Sequence, residues 1–202
     1  MNRLKASGVG RIVAGRLRDF QKLRRRGDED WFAELCFCIL TANSSAKLGI
    51  EIQHKIGRKG FLQLGRRNLA STLRRLGHRY WRRRASFIFE ARRFRNIKNI
   101  VTKFRDEFEA RQWLVKNVKG IGYKEASHFL RNVGYTNVAI IDRHVIKVMH
   151  ENGLIGAIPK NLTKNTYMKC ERILRSLSEK TGLTLAELDL YLWYLKTNQV
   201  LK

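Results

Sequence analysis

A single proline, Pro159, interrupts 202 residues, and the fifteen glycines fall mostly between segments whose apolar residues recur every three or four positions. A chain so poor in helix breakers, with almost no two-residue alternation, is predicted to fold as helices joined by short turns. The expected class is all-α. Asp28 or Asp30 can cap a helix carrying Trp31, Leu35, Phe37, Cys38, Ile39 and Leu40 and stopping near Asn43-Ser44-Ser45. Being apolar almost all round, that helix belongs at the centre. Amphipathic helices are predicted over 46–56, 66–76, 81–94 and 105–117, the third with arginines on one face and Ala85, Ile88, Phe89 and Ala91 on the other. Val138 to Ile141 is a short apolar run ending at Asp142, whose side chain can cap a helix starting at Arg143. Thr184 and Glu187 have capping-box spacing and open a helix through Leu188, Leu192, Trp193 and Leu195.

Forty-two lysines and arginines against seventeen acids give a net charge of +25, while 44% hydrophobic residues are ample for a core. Disorder as the main state is excluded, and so much repelling positive charge calls for a polyanion, nucleic acid before any other. No run approaches the ~18 apolar residues of a membrane span, so the expectation is a soluble protein of the cytoplasm. Cys36, Cys38 and Cys170 form no C-x-x-C pair and are expected to be buried and reduced.

The segment most informative about chemistry is Val118-Lys119-Gly120-Ile121-Gly122-Tyr123-Lys124, followed by a helix with Ala126, Phe129, Leu130 and Val133 on one face. Two glycines around one apolar residue allow a sharp turn that buries Ile121 and points free N–H groups outward at a helix start, where they favour a phosphate oxygen. Most short Gly-x-Gly pairs are ordinary turns. Here lysines flank the turn, and Asp142 arrives eighteen positions after Lys124.

This hairpin, with its lysine and the aspartate at that interval, resembles the active-site signature of the helix-hairpin-helix DNA glycosylases of the endonuclease III superfamily. The stretches 36–43, 121–132, 140–144 and 191–202 resemble more closely the archaeal-type 8-oxoguanine DNA glycosylase/AP lyases. The resemblance implies two helical lobes with a DNA-binding cleft between them. One lobe would comprise residues 1–27 and 137–202, the other 28–136 with the hairpin at about 110–133. It also implies a prokaryotic, nucleoid-associated and monomeric enzyme, acting on double-stranded DNA containing 8-oxoguanine. The four-cysteine iron–sulfur loop of endonuclease III is missing, and no cofactor is expected beyond a monovalent cation that hairpin carbonyls can hold.

An amine can both attack C1′ of a damaged nucleotide and stay attached as a Schiff base. The helix dipole and Lys119 should favour the neutral, nucleophilic form of Lys124. By the resemblance Lys124 displaces the base and permits β-elimination, and Asp142 orients it and stabilises charge developing on the sugar. Lys119, Gly120 and Gly122 would hold a phosphate, and Asn43 would fill the gap left by the flipped nucleotide, with Tyr80 a second contact. 8-Oxoguanine carries a hydrogen on N7 where guanine has a lone pair, so a fixed acceptor there separates the two. The resemblance assigns this acceptor to the terminal Lys202, and base stacking to Trp193. Taken alone, Trp193 reads as a core aromatic, Lys202 as a chain end and Asn43 as a helix terminus. A glycosylase for another lesion and a non-catalytic DNA-binding module are the competing readings.

Overall fold

The computed structural model describes residues 2–202; Met1, which opens the expected 1–27 segment, lies outside the described residues. Among those residues there are twelve α-helices and no strand. In chain order they are α1 (Asn2–Lys5), α2 (Gly8–Arg25), α3 (Asp28–Thr41), α4 (Ala46–Gln63), α5 (Arg66–Arg75), α6 (Trp81–Ala91), α7 (Ile97–Val101), α8 (Glu107–Asn117), α9 (Tyr123–Asn132), α10 (Arg143–Glu151), α11 (Lys164–Thr181) and α12 (Leu185–Thr197). None of the helices is long and apolar enough to cross a membrane.

The buried side chains form two cores. The first surrounds α3, whose residues Trp31 to Thr41 are all buried, and draws on α4 to α9 as far as Val138. The second gathers α2, α10, α11 and α12, beginning again at Ala139. Cys36, Cys38 and Cys170 are free and buried, and burial raises the pKa of each thiol. They pack as small apolar groups.

Local chemistry explains most helix ends. Asp142 caps α10 through Oδ1, which accepts from His144 N and Val145 N at 2.8 Å each. Thr184 and Glu187 form the capping box of α12. Three details differ from the sequence reading. Neither Asp28 nor Asp30 caps α3, because Gly27 occupies that position. Asp28 instead reaches across to α7 and accepts from Lys98 N at 2.8 Å, while Asp30 pairs with Arg58 at 3.1 Å. The stretch 46–56 does break at Gly57, where φ is 65°, a backbone state that glycine tolerates, and what the sequence reading lacked is the short helical segment that follows it to Gln63 within α4. Arg84 is not on the cationic face of α6. It is buried and donates to Ala42 O at 2.5 Å.

The cores are joined by buried polar bonds. Arg111 on α8 meets Glu171 on α11 in a two-pronged pair of 2.6 and 2.7 Å, both residues under 5% exposed. Glu171 Oε1 also accepts from Ala139 N at 2.8 Å, and Arg111 donates to Ser127 Oγ on α9 at 3.1 Å. Tyr167 on α11 donates its hydroxyl to Ala139 O at 2.6 Å and accepts from Ile141 N at 3.3 Å. Side chains of α11 therefore satisfy the Ala139 N–H and C=O and the Ile141 N–H of the extended run 139–141. Glu171→Gln or Arg111→Met leaves an unmatched buried charge or donor, and each single change is expected to cost roughly 3–5 kcal/mol. The double change Arg111→Met/Glu171→Leu should cost less than the sum of its parts when unfolding is followed in urea.

Candidate active site

Gly120 makes the turn between α8 and α9 with φ at 83°, and a Cβ there would lie 2.4 Å from the Phe87 ring. Both the backbone state and the space demand glycine. Ile121 is buried, as a hairpin that packs its middle residue requires. Gly122 N-caps α9, but its N–H is not free for an outside ligand: Glu125 Oε2 accepts it at 3.1 Å. The reciprocal half of a capping box has claimed that donor. Lys119 likewise leans away, pairing with Glu90 at 2.8 Å.

Lys124 is the second residue of α9 and Asp142 caps α10, so the two belong to elements of different cores. Both line one cavity of about 360 Å³, a size suited to a small organic group. Trp193 and Lys202 line it too, with Asp189, Arg131, His128 and His144. Trp193 meets the His144 ring edge-on, with centroids 5.5 Å apart. The two cap bonds of Asp142 both fall on Oδ1, leaving Oδ2 outside the cap.

Asn43 and Tyr80 line a second cleft, together with Gly120, Arg83, Arg84 and Phe87. Asn43 is exposed and sits in the left-handed region with φ at 57°, a state asparagine adopts more readily than most residues. The Arg84 bond to Ala42 O steadies the same turn. The two clefts flank this turn: Thr41, Ser44 and Ser45 face the first, Ala42 and Asn43 the second.

Several lining residues escaped the sequence reading. His128 stands one turn after Lys124 on α9, and burial, then the cations Arg131 and Lys124, push its pKa well below the usual histidine value. It is a neutral ring, stacked edge-on against Phe37 at 5.5 Å. Asp189 stands four residues before Trp193, hence on the same face of α12. An acid between Leu188 and Leu190 was the available signal. Burial raises the Asp189 pKa from 3.8 to about 6, against the pull of Arg131, and Asp142 adds to the rise while Lys124 opposes it. Arg131 is bonded directly to it. Between those pH values the folded chain holds the proton more firmly than the unfolded one. The Asp189 contribution to stability is therefore complete in acid and lost as pH rises through about 6. Relative to Asp189→Asn, the wild-type chain should lose unfolding free energy between about pH 4 and about pH 7, measured by urea midpoints.

Comparison with known proteins gives a consistent result. Residues 13–183 match the family described as 8-oxoguanine DNA glycosylase. The 8-oxoguanine DNA glycosylase/AP lyase of Methanocaldococcus jannaschii is 54% identical over 98% of this chain and 96% of its own, and that of Korarchaeum cryptofilum is 51% identical over 99% and 95%. The crystal structure of the Methanocaldococcus jannaschii 8-oxoguanine glycosylase/lyase with a 15mer DNA containing 8-oxoguanine superposes with a TM-score of 0.97, at 53% identity, covering 100% of this chain and 97% of that one. The Thermotoga maritima 8-oxoguanine DNA glycosylase gives a TM-score of 0.93 at 45% identity, covering 100% and 96%. A family match across most of the chain, relatives of this identity, and an all-helical fold with lysine and aspartate in one cavity agree: the chain belongs to the 8-oxoguanine DNA glycosylase family.

Proposed function

We propose that the chain removes 8-oxoguanine from double-stranded DNA and nicks the resulting abasic site through a lysine Schiff base. One observation carries this reading: Lys124 and Asp142, supplied by separate cores, line the same cavity. A module that only gripped phosphate would need no carboxylate there. A different lesion specificity is disfavoured by the relatives, which are 8-oxoguanine glycosylases by name.

In the reaction the neutral Lys124 Nζ attacks C1′, the glycosidic bond breaks, and the base leaves with its electrons and takes up a proton. The attached amine then loses one proton, its lone pair expels O4′, which takes up a proton as the sugar ring opens, and a protonated imine is left. That imine acidifies C2′, whose proton departs as the 3′ phosphate is expelled, and water releases the lysine. Asp142, through the oxygen outside the cap, stabilises positive charge on the sugar and relays protons. Trp193 stacks on the flipped base, and the terminal carboxylate of Lys202 accepts the N7 hydrogen of the lesion. Asn43 enters the gap in the duplex with Tyr80 beside it, while Gly120, Gly122 and Lys119 approach a phosphate. For Gly122 and Lys119 that requires Glu125 and Glu90 to yield their bonds. The chemistry needs no cofactor, and a monovalent cation on hairpin carbonyls would serve phosphate binding alone. A monomer in the cytoplasm, associated with the nucleoid, completes the reading.

Lys124→Gln should abolish both base release and the adduct trapped by borohydride. Asp142→Asn should keep the helix cap, since asparagine caps as well as aspartate, yet slow excision by roughly 10²–10⁴-fold in single-turnover assays. A borohydride adduct persisting in Lys124→Gln would refute the lysine assignment. Appending a few residues after Lys202 removes the terminal carboxylate, and the ratio of 8-oxoguanine to guanine excision should fall, by about tenfold or more for one charge-assisted hydrogen bond.

A further inference from the structure

Lys202 carries two opposite charges, and the structure shows what holds the positive one. Its Nζ lies 2.9 Å from Glu34 Oε2, bonds to Gln53 Oε1, and sits 4.2 Å from the Phe37 ring centroid. Glu34 is 3% exposed in the middle of α3, the helix apolar on every side. A carboxylate in that position is expensive unless it is paired. Among the described residues Lys202 is the cation it pairs with. Gln53 Nε2 donates to Ala33 O at 3.0 Å and Glu34 Oε2 at 3.1 Å, which turns its amide oxygen toward Lys202. The other Glu34 oxygen accepts from Asn132 Nδ2 at 2.6 Å. Asn132 Oδ1 in turn accepts from Arg131, which pairs with Asp189 on the cavity wall.

The segment after α12 is held by side chains rather than by regular structure: Val200 packs against the second core and Leu201 lines the cavity. Helix α12 stops at Thr197, Asn198 adopts the left-handed state that ends it, and residues 199–202 form no regular element. The main chain of Lys202 lies against His128, without a well-formed bond to either ring nitrogen. These contacts place the chain end beside the cavity without a backbone hydrogen bond that fixes an acceptor to the few tenths of an ångström that discrimination at N7 demands. The Lys202 side chain can fix it, because its far end is locked into the first core.

We infer that Glu34 and Gln53 form a seat for the Lys202 ammonium that fixes the position of the terminal carboxylate, making both of them positioning residues for base discrimination. This rests on the proposed role of that carboxylate. It explains why a lysine, rather than any residue ending in a carboxylate, stands at position 202. It also explains a buried acid in the most apolar helix.

Lys202→Met separates the two charges, since it keeps the terminal carboxylate and most of the stem and removes only the ammonium. The readout is the ratio of single-turnover excision of 8-oxoguanine to that of guanine, in which changes in general DNA affinity cancel. Lys202→Met should lower this ratio about tenfold or more, the scale expected for a displaced acceptor, and Lys202→Arg should restore most of it. Glu34→Gln should lower it similarly, and the double variant Glu34→Gln/Lys202→Met should be no worse than either single one. Additive losses would mean that Glu34 acts through the fold alone and would overturn its role. Lys202→Met leaves the buried Glu34 carboxylate unpaired, so should either single variant fail to fold, the double variant Glu34→Gln/Lys202→Met, which removes both charges, decides by the same ratio. A wild-type ratio in Lys202→Met, alongside a lost ratio in a chain extended past Lys202, would overturn the seat and leave the carboxylate reading standing. Wild-type ratios in both would remove the carboxylate reading and the inference with it. A loss in Lys202→Met with none in the extended chain would assign discrimination to the ammonium and overturn the inference.

Discussion

The Arg111–Glu171 pair and the Ala139 amide bonded to it hold the two cores in register, and the cavity depends on that register. Lys124 rides on α9 in the first core and Asp142 opens α10 in the second. Between them runs a stretch with no partner strand, whose polar groups would be unsatisfied without Glu171 and Tyr167. Ser127 ties the arrangement to α9 by accepting from Arg111 and standing 3.2 Å from the Tyr167 hydroxyl, three residues after Lys124. Sliding the run by one residue would turn Ala139 N away from its acceptor and carry Asp142 out of the cavity. In the proposed mechanism both residues act at a single sugar carbon, which ties that mechanism to this junction.

The chain is rich in cations outside and spends several of its few acids inside. Glu34, Glu171 and Asp189 each pair with a cation from another element: Lys202, Arg111 and Arg131. Matched this way, the acids fix relative positions and subtract little from the surface field that draws DNA toward the protein. The same three pairs join α3 to the chain end, α8 to α11, and α9 to α12, and the first and third tie together elements that line the cavity.

Much was legible along the chain because it is local. Helix α12 declares itself by Thr184 and Glu187, α10 by Asp142, and the hairpin by two glycines around Ile121, since a cap or a tight turn is decided by residues within four positions of one another. What went unread is long-range. Asp28 looks like a cap for its own helix but serves α7, seventy positions away. Glu125 takes the Gly122 N–H, which by glycine pattern alone looked free. Asp189 and His128 looked like ordinary helix residues until packing placed them beside Lys124.

The sequence by itself determined the helical class, the glycine hairpin, the cationic character, and a lysine and an aspartate at a fixed interval. These follow from backbone preferences, side-chain chemistry and charge, which need no knowledge of distant neighbours. Tertiary structure alone decided which buried acid meets which cation, where the terminal lysine is seated, and how wide the cavity is. The reason is physical: burial strengthens an ion pair and penalises an unpaired charge, and which groups become buried together is a property of the packed cores rather than of any local stretch of chain.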